Sequence, residues 1–416
     1  MKVCVLLMAV VVALFLWRRT MKVHVMLVAV IMAVFLAFSE ASGAEEMTDG
    51  ELYAEWEAYM DETLPEWNAH TEYWRESLGW QAAPCLRGLV SGYKYSKDEK
   101  WLKYLTKQVD ELMARLEDED GHPGWGRSIT GEALLLEPIL EFIYVAQSDP
   151  NVSAETKKKA EGYLEIIDPA MIVKWDEMDR WKETHMGCGT YLSRITLPHN
   201  KNAHSGMMLL AAARATHSPE RRAIYLDKAR KLARRWRKFL KVRDDHYIWH
   251  YWDPAGRWDY NEGGQLNHWV GLEHRGYGSI DVSFMAAAYD HGLVFSREDA
   301  EMHCRTFLKE IWNGDDENPK YTALGTFNPE YVESTVFSGL ARFDPKIMEL
   351  WGKATVPNPR SWGGMSAVPA YLLVKKEAAG FERRNADWTR EALSEMRRQE
   401  REARSERPEE DRQLMR

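Results

Sequence analysis

The feature that most constrains this chain is a recurring pair of segments. A helix of small and apolar residues is followed by a polar break and then by an amphipathic helix rich in Lys, Arg and Leu. Ala203 to Thr216 leads through His217-Ser218-Pro219-Glu220 into Ala223 to Leu240, whose apolar residues recur at helical spacing. Ser279 to His291 leads through Ser296-Arg297-Glu298-Asp299 into Ala300 to Trp312. Gly131 to Gln147 precedes Ser153 to Ile167, and Cys85 to Tyr95 precedes Trp101 to Leu116. A weaker pair begins near Glu333, and a last helix near Met365. Helices that are apolar on all faces must be buried, and amphipathic ones can cover them. The reading is therefore an all-α protein, an (α/α) toroid of about six helical hairpins with an inner ring inside an outer one. An open solenoid would show a tighter and more regular period.

Composition narrows the partners. A formal charge of −9 lacks the basic footprint of a nucleic-acid binder. Four cysteines with no C-x-x-C pair give neither a disulfide framework nor a zinc knuckle. No H-x-x-x-H or H-E-x-x-H frame lies on one predicted helix and no glycine-rich phosphate loop occurs, so no metal and no cofactor are expected.

Residues 1–44 hold two Met-Lys-Val starts. From Met21 onward Lys22, the apolar run Val25 to Phe38 and Ser42-Gly43-Ala44 have the pattern of a secretory signal. The expectation is a secreted or periplasmic protein with no membrane association after cleavage near Ala44. Residues 45–380 would form the toroid. From Phe381 to Arg416 there are ten Arg and ten Asp/Glu, which suits a charged helical or disordered tail.

In a closed ring of hairpins, the segments before each inner helix converge on one face. Here those segments are polar and aromatic: Trp125 to Ser128, Pro198 to His204, Asn267 to Trp269, Glu273 to Asp281, and Arg360 to Gly364. Tyr247 to Tyr260 is densely aromatic as well. Aromatic rings beside Asn, Arg and His suit a cleft for sugars, stacking on pyranose faces while the polar groups hold hydroxyls and carboxylates. Candidate binding residues are Arg127, His199, Asn202, His250, Trp252, Tyr260, Trp269 and Trp362.

Pro198-His199-Asn200 ahead of a small-residue helix, and Glu273 to Asp281 opening the next, resemble the secreted α/α-toroid polysaccharide-active proteins. These are the alginate, glucuronan and heparinoid lyases and the uronyl C5-epimerases. The likeness spans roughly Trp125 to Trp312. Tyr277 stands where His is common, with His274 three residues earlier. The resemblance implies β-elimination on an acidic, uronic-acid-containing polysaccharide. Tyr277 would be base or acid with His204 or His274 as partner, and Asn200 and Arg275 would neutralise the carboxylate. A tyrosine has an ordinary pKa of ~10 and needs cationic help to act as a base. Three alternatives stay open: a glycoside hydrolase using a pair among Glu132, Glu273, Asp281 and Glu333, a C5-epimerase, and a glycan-binding protein without catalysis.

Overall fold

The computed structural model describes residues 47–67, 73–184, 187–273, 275–322 and 335–377, together with Ser394. The signal-like segment, the charged tail, His274 and Glu333 lie outside the described residues. The chain divides into two compact units, Met1–Glu51 and Leu52–Arg416, and the second holds nearly everything described. No helix among the described residues is long and apolar enough to cross a membrane.

The inner helices are α2 (Arg75–Ser96), α4 (Ile129–Ser148), α6 (His199–Ala215), α8 (Gly278–Asp290) and α11 (Trp362–Glu377). The outer helices are α1 (Asp49–Thr63), α3 (Lys100–Met113), α5 (Ala154–Ile166), α7 (Pro219–Phe239), α9 (Arg297–Thr306) and α10 (Pro345–Thr355). Each amphipathic partner packs on its own inner helix, as α3 does on α2 and α7 on α6. The inner set closes on itself. α2 packs on α4, α4 on α6, α6 on α8, and α11 returns to α2. Between α8 and α11 the sixth place is filled by the short 3₁₀ turn Ser338–Leu340 leading to α10. The fold is thus an (α/α) toroid.

Small residues make the closure possible. A Cβ on Gly79 would fall 2.5 Å from the Gly131 carbonyl oxygen, and one on Gly88 within bonding range of the Met365 backbone. Backbones at the α2–α4 and α2–α11 seams therefore touch directly. The Trp56 indole of α1 donates to the Met365 carbonyl at 3.0 Å, fastening the outer layer to the seam. Outer helices start at side-chain caps: Ser153 for α5, Ser218 for α7, Ser296 for α9 and Asp344 for α10.

Two inner helices begin earlier than periodicity suggests. α2 runs through Pro84, which reads as a boundary in sequence but here lies inside the helix. α6 starts right after Pro198, so His199, Asn200, Asn202 and His204 are helical rather than part of a mouth loop. Three two-stranded hairpins, not foreseen from the sequence, decorate this mouth face. They are β1 (Glu117–Asp118) with β2 (Pro123–Gly124), β3 (Trp181–Thr184) with β4 (Cys188–Tyr191), and β5 (Lys241–Arg243) with β6 (His246–Ile248).

Candidate active site

Helical spacing sorts the α6 residues onto different faces. His199 and Asn202, three apart, share one side, whereas Asn200 and His204, four apart, share another. The first side is structural. His199 Nε2 lies 3.1 Å from Asp253, whose other oxygen is 2.9 Å from His250 Nδ1, and His250 Nε2 is 3.1 Å from the Lys241 ammonium. Asn202 bonds to the Tyr191 amide, Thr190 and the Leu197 carbonyl. These groups tie the β4 and β6 loops to α6, and their buried, occupied polar atoms are unavailable to a ligand. The expectation that His199 and Asn202 bind substrate is corrected on that ground. Trp252 is corrected too: it is fully buried, and its indole donates to the Thr196 carbonyl at 2.7 Å.

The second side faces the ring interior. His204 is buried edge-on against Trp80, ring centroids 5.2 Å apart, and neither ring nitrogen has a hydrogen-bond partner among the described residues. Burial, with Arg87 and Lys201 nearby, holds its pKa well below the usual imidazole value, so it is neutral. Asn200 is likewise buried, with its carbonyl oxygen unpartnered. His204 joins Ser279 and Ser283 of α8 in lining a cavity of about 520 Å³ inside the ring.

From His204, contacts lead through Trp80 to Glu76, which acts electrostatically on Tyr251 beside Tyr277. The Trp80 indole donates to Glu76 at 3.2 Å, and the Lys201 ammonium grips Glu76 at 2.8 Å. Glu76, Glu273, Tyr277 and Asp281 all act electrostatically on Tyr251. Its hydroxyl is pushed up to about 12, first by burial and then by these neighbours. The Tyr251 and Tyr277 rings lie 5.9 Å apart, and Trp269 stacks on Tyr251 at 6.0 Å with 14° between planes.

Behind the tyrosines lie two buried carboxyl groups. Asp281, in the first turn of α8, accepts the Trp249 indole N–H at 3.0 Å, and its second oxygen is unpartnered. Burial raises its pKa well above the usual carboxylate range, so the group is held protonated. Glu273 is also buried, and its Cγ would sit 3.5 Å from a Cβ on Gly278. The glycine thus lets the α8 start approach both Glu273 and Trp249.

Of the remaining candidates, Trp269, Tyr260 and Trp362 are exposed at 49%, 43% and 40%, as sugar stacking requires. Arg127 is exposed, pairs with Asp120 at 2.7 Å, and takes a left-handed φ of 56°. Arg275 lies in the 3₁₀ turn Arg275–Tyr277 that opens α8. Glu132 belongs to another cluster: with Glu119 it holds the fully buried Lys174 at 2.7 and 2.9 Å, anchoring the β1–β2 wall. Among the described residues no group of three or more His, Cys, Asp and Glu could hold a metal ion.

Sequence reasoning missed Glu76, Trp80 and Tyr251. Tyr251 lies inside the aromatic run Tyr247 to Tyr260 and was within reach of that signal. Glu76 and Trp80 were hidden because Pro84 concealed the first turns of α2.

No family model matches the chain, and no characterised relative matches it in sequence. Similar solved structures include the family 76 α-1,6-mannanase of Salegentibacter sp. HEL1_6 in complex with α-1,6-mannotriose. It shows 13% identity and a TM-score of 0.47, over 80% of this chain and 99% of that one. A D-mannose isomerase shows 15% identity and a TM-score of 0.46, over 78% and 86%. A polysaccharide lyase shows 12% identity and a TM-score of 0.33, over 79% and 99%. The toroid assignment itself rests on the closure of the inner ring.

Proposed function

We propose that this chain is an enzyme acting on polysaccharide, and that it hydrolyses a glycosidic bond at the Tyr251–Tyr277 end of the mouth. One observation carries the reading: three carboxyl groups, Glu76, Glu273 and Asp281, lie near enough to Tyr251 to act on it electrostatically, and burial favours the protonated form of Asp281. Glycosidic hydrolysis needs a carboxylic acid that gives a proton to the leaving oxygen and a carboxylate that acts on the other face. Asp281 supplies the held proton. Glu76, the more accessible carboxylate, suits the base, with Lys201 and Trp80 fixing its orientation. Trp269 and Tyr260 offer sugar platforms beside the reacting groups.

The initial expectation of β-elimination comes second. It keeps one supporting observation, the close pairing of Tyr277 with Tyr251. Elimination from a uronate needs cationic donors around its carboxylate, and Lys201, beside Glu76, is held in an ion pair by that carboxylate. Export through the segment Met21 to Ala44 completes the proposal, placing the enzyme where polysaccharides occur.

The test is mass balance on cleaved oligosaccharides. Hydrolysis gives fragments whose masses sum to the substrate plus one water. Fragments that sum to the substrate alone, one carrying an unsaturated sugar, would establish elimination instead.

A further inference from the structure

A second concavity, of about 710 Å³, opens on the same face beside the reacting groups. Its walls come from the first residues of α2 and α4, the start of α6 and the turn after β4. Glu76 and Lys201 line it as well, so it is continuous with the groups around Tyr251.

Its chemistry differs from that of the reacting end. Arg75, Arg180 and Arg194 line it and are exposed. Arg75 and Arg194 have no ion-pair partner among the described residues, and Arg180 donates to the Ser193 carbonyl at 2.5 Å. The acidic residues on its walls are mostly engaged. Glu119 is consumed by Lys174 and by the amide of Arg127, Glu76 by Lys201, and Asp118 accepts from the Gly121 amide at 2.7 Å. Glu117 is the exposed carboxylate left on the rim. The first turn of α4, Ile129 and Thr130, also lines the cleft and adds the partial positive charge of a helix N-terminus.

The backbone here is also unusual. Arg75 and Arg127 both take left-handed φ values of 56°, and Gly126 between them has φ 101°. A Cβ on Gly126 would clash with Arg75 Cγ, so the two strained turns meet. Glu119 fastens one of them by accepting from the amides of Gly126 and Arg127. Strain of this kind persists where the surroundings enforce it and concentrates at binding sites. Arg75 and Arg127 both line the concavity, with Arg127 paired to Asp120.

We propose that this cleft is an oxyanion subsite. It takes a carboxylate or sulfate group carried by a sugar away from the cleaved bond, so the substrate is a glycan with charged and neutral units. The proposal rests on the reading that this face handles polysaccharide. It adds that a charged substituent is recognised by arginines beside the reacting groups, with Glu76 held by Lys201 where the two regions meet. Arginine forks fit both oxyanions in the same two-pronged manner.

Calorimetric titration of the whole protein with three tetrasaccharides tests this: a tetraglucuronate, a sulfated mannotetraose and the unsulfated mannotetraose. The expected result is that at least one charged probe binds tighter than the neutral one, and that added salt weakens it. Arg194→Glu, at an exposed residue without an ion-pair partner among the described residues, should weaken the charged probe about tenfold and leave the neutral one unchanged. Preference for one charged probe identifies the oxyanion. Equal binding of charged and neutral probes, or charged binding unaffected by Arg194→Glu and by Arg180→Gln, would overturn the subsite. Binding is read without turnover, so a chain that binds the charged probe through Arg194 yet cleaves nothing retains the subsite and loses the hydrolase.

Discussion

Asp281 accepts a 3.0 Å hydrogen bond from the indole of Trp249 while its other oxygen is buried without a partner. Burial raises the pKa of Asp281 well above the usual carboxylate range, against the Trp249 hydrogen bond, which lowers it. Asp281→Asn keeps the acceptor for Trp249 but cannot release a proton. Stability should change by no more than about 1 kcal/mol, while turnover falls about 10²–10⁴-fold. Steady-state rates alongside an unfolding curve check both halves. An active Asp281→Asn enzyme removes Asp281 from the chemistry.

The Lys174 cluster makes a stability prediction independent of any reaction. Its ammonium is fully buried between Glu119 and Glu132 and also donates to the Pro123 carbonyl at 2.9 Å. Lys174→Met leaves two buried carboxyl groups facing one another without a cation. The expected loss is about 3–5 kcal/mol, read from chemical denaturation. A near-neutral substitution would mean that the cluster is hydrated in solution.

Glu132 in that cluster sets a pH dependence. Burial, opposed by Lys174, raises its pKa from 4.5 to about 7. Between those values the folded chain holds a proton that the unfolded chain has released. Stability from this group is therefore full below the ordinary carboxylate pKa and is lost as pH rises through about 7. Relative to Glu132→Gln, which does not titrate, the wild-type Tm should fall between about pH 5 and about pH 7. Parallel curves for the two proteins would contradict the shift.

Trp269 is exposed and stacked on Tyr251, so its outer face is available to a sugar ring. Trp269→Ala should raise KM about tenfold with little change in kcat, since a platform binds ground state and transition state alike. A fall in kcat with KM unchanged would place the ring in the reaction rather than in binding.

The toroid was legible because buried and covering helices differ in composition along their whole length. α4 is buried on almost every face, whereas α7 buries one stripe, and that contrast survives in the bare sequence. The site was legible only in part. Asn200 and His199 are adjacent in sequence, yet one faces the ring interior and the other a structural Asp253, a sorting that depends on where α6 begins. Glu76 meets Tyr251 and Lys201 only through ring closure, and no spacing along the chain encodes that meeting. The expected helix near Glu333 also differs: the described part of that region is a 3₁₀ turn, Ser338–Leu340, ahead of α10.

The central claim is hydrolysis by carboxyl groups rather than elimination by tyrosine. The most direct measurement follows new reducing ends and the ultraviolet absorbance of unsaturated uronates together, in wild type and Tyr277→Phe, over neutral and acidic polysaccharides. The account predicts reducing ends without an absorbance rise, and a Tyr277→Phe enzyme within about tenfold of wild type. An absorbance rise on a uronate polymer that disappears in Tyr277→Phe would contradict it and make Tyr277 the base of a lyase.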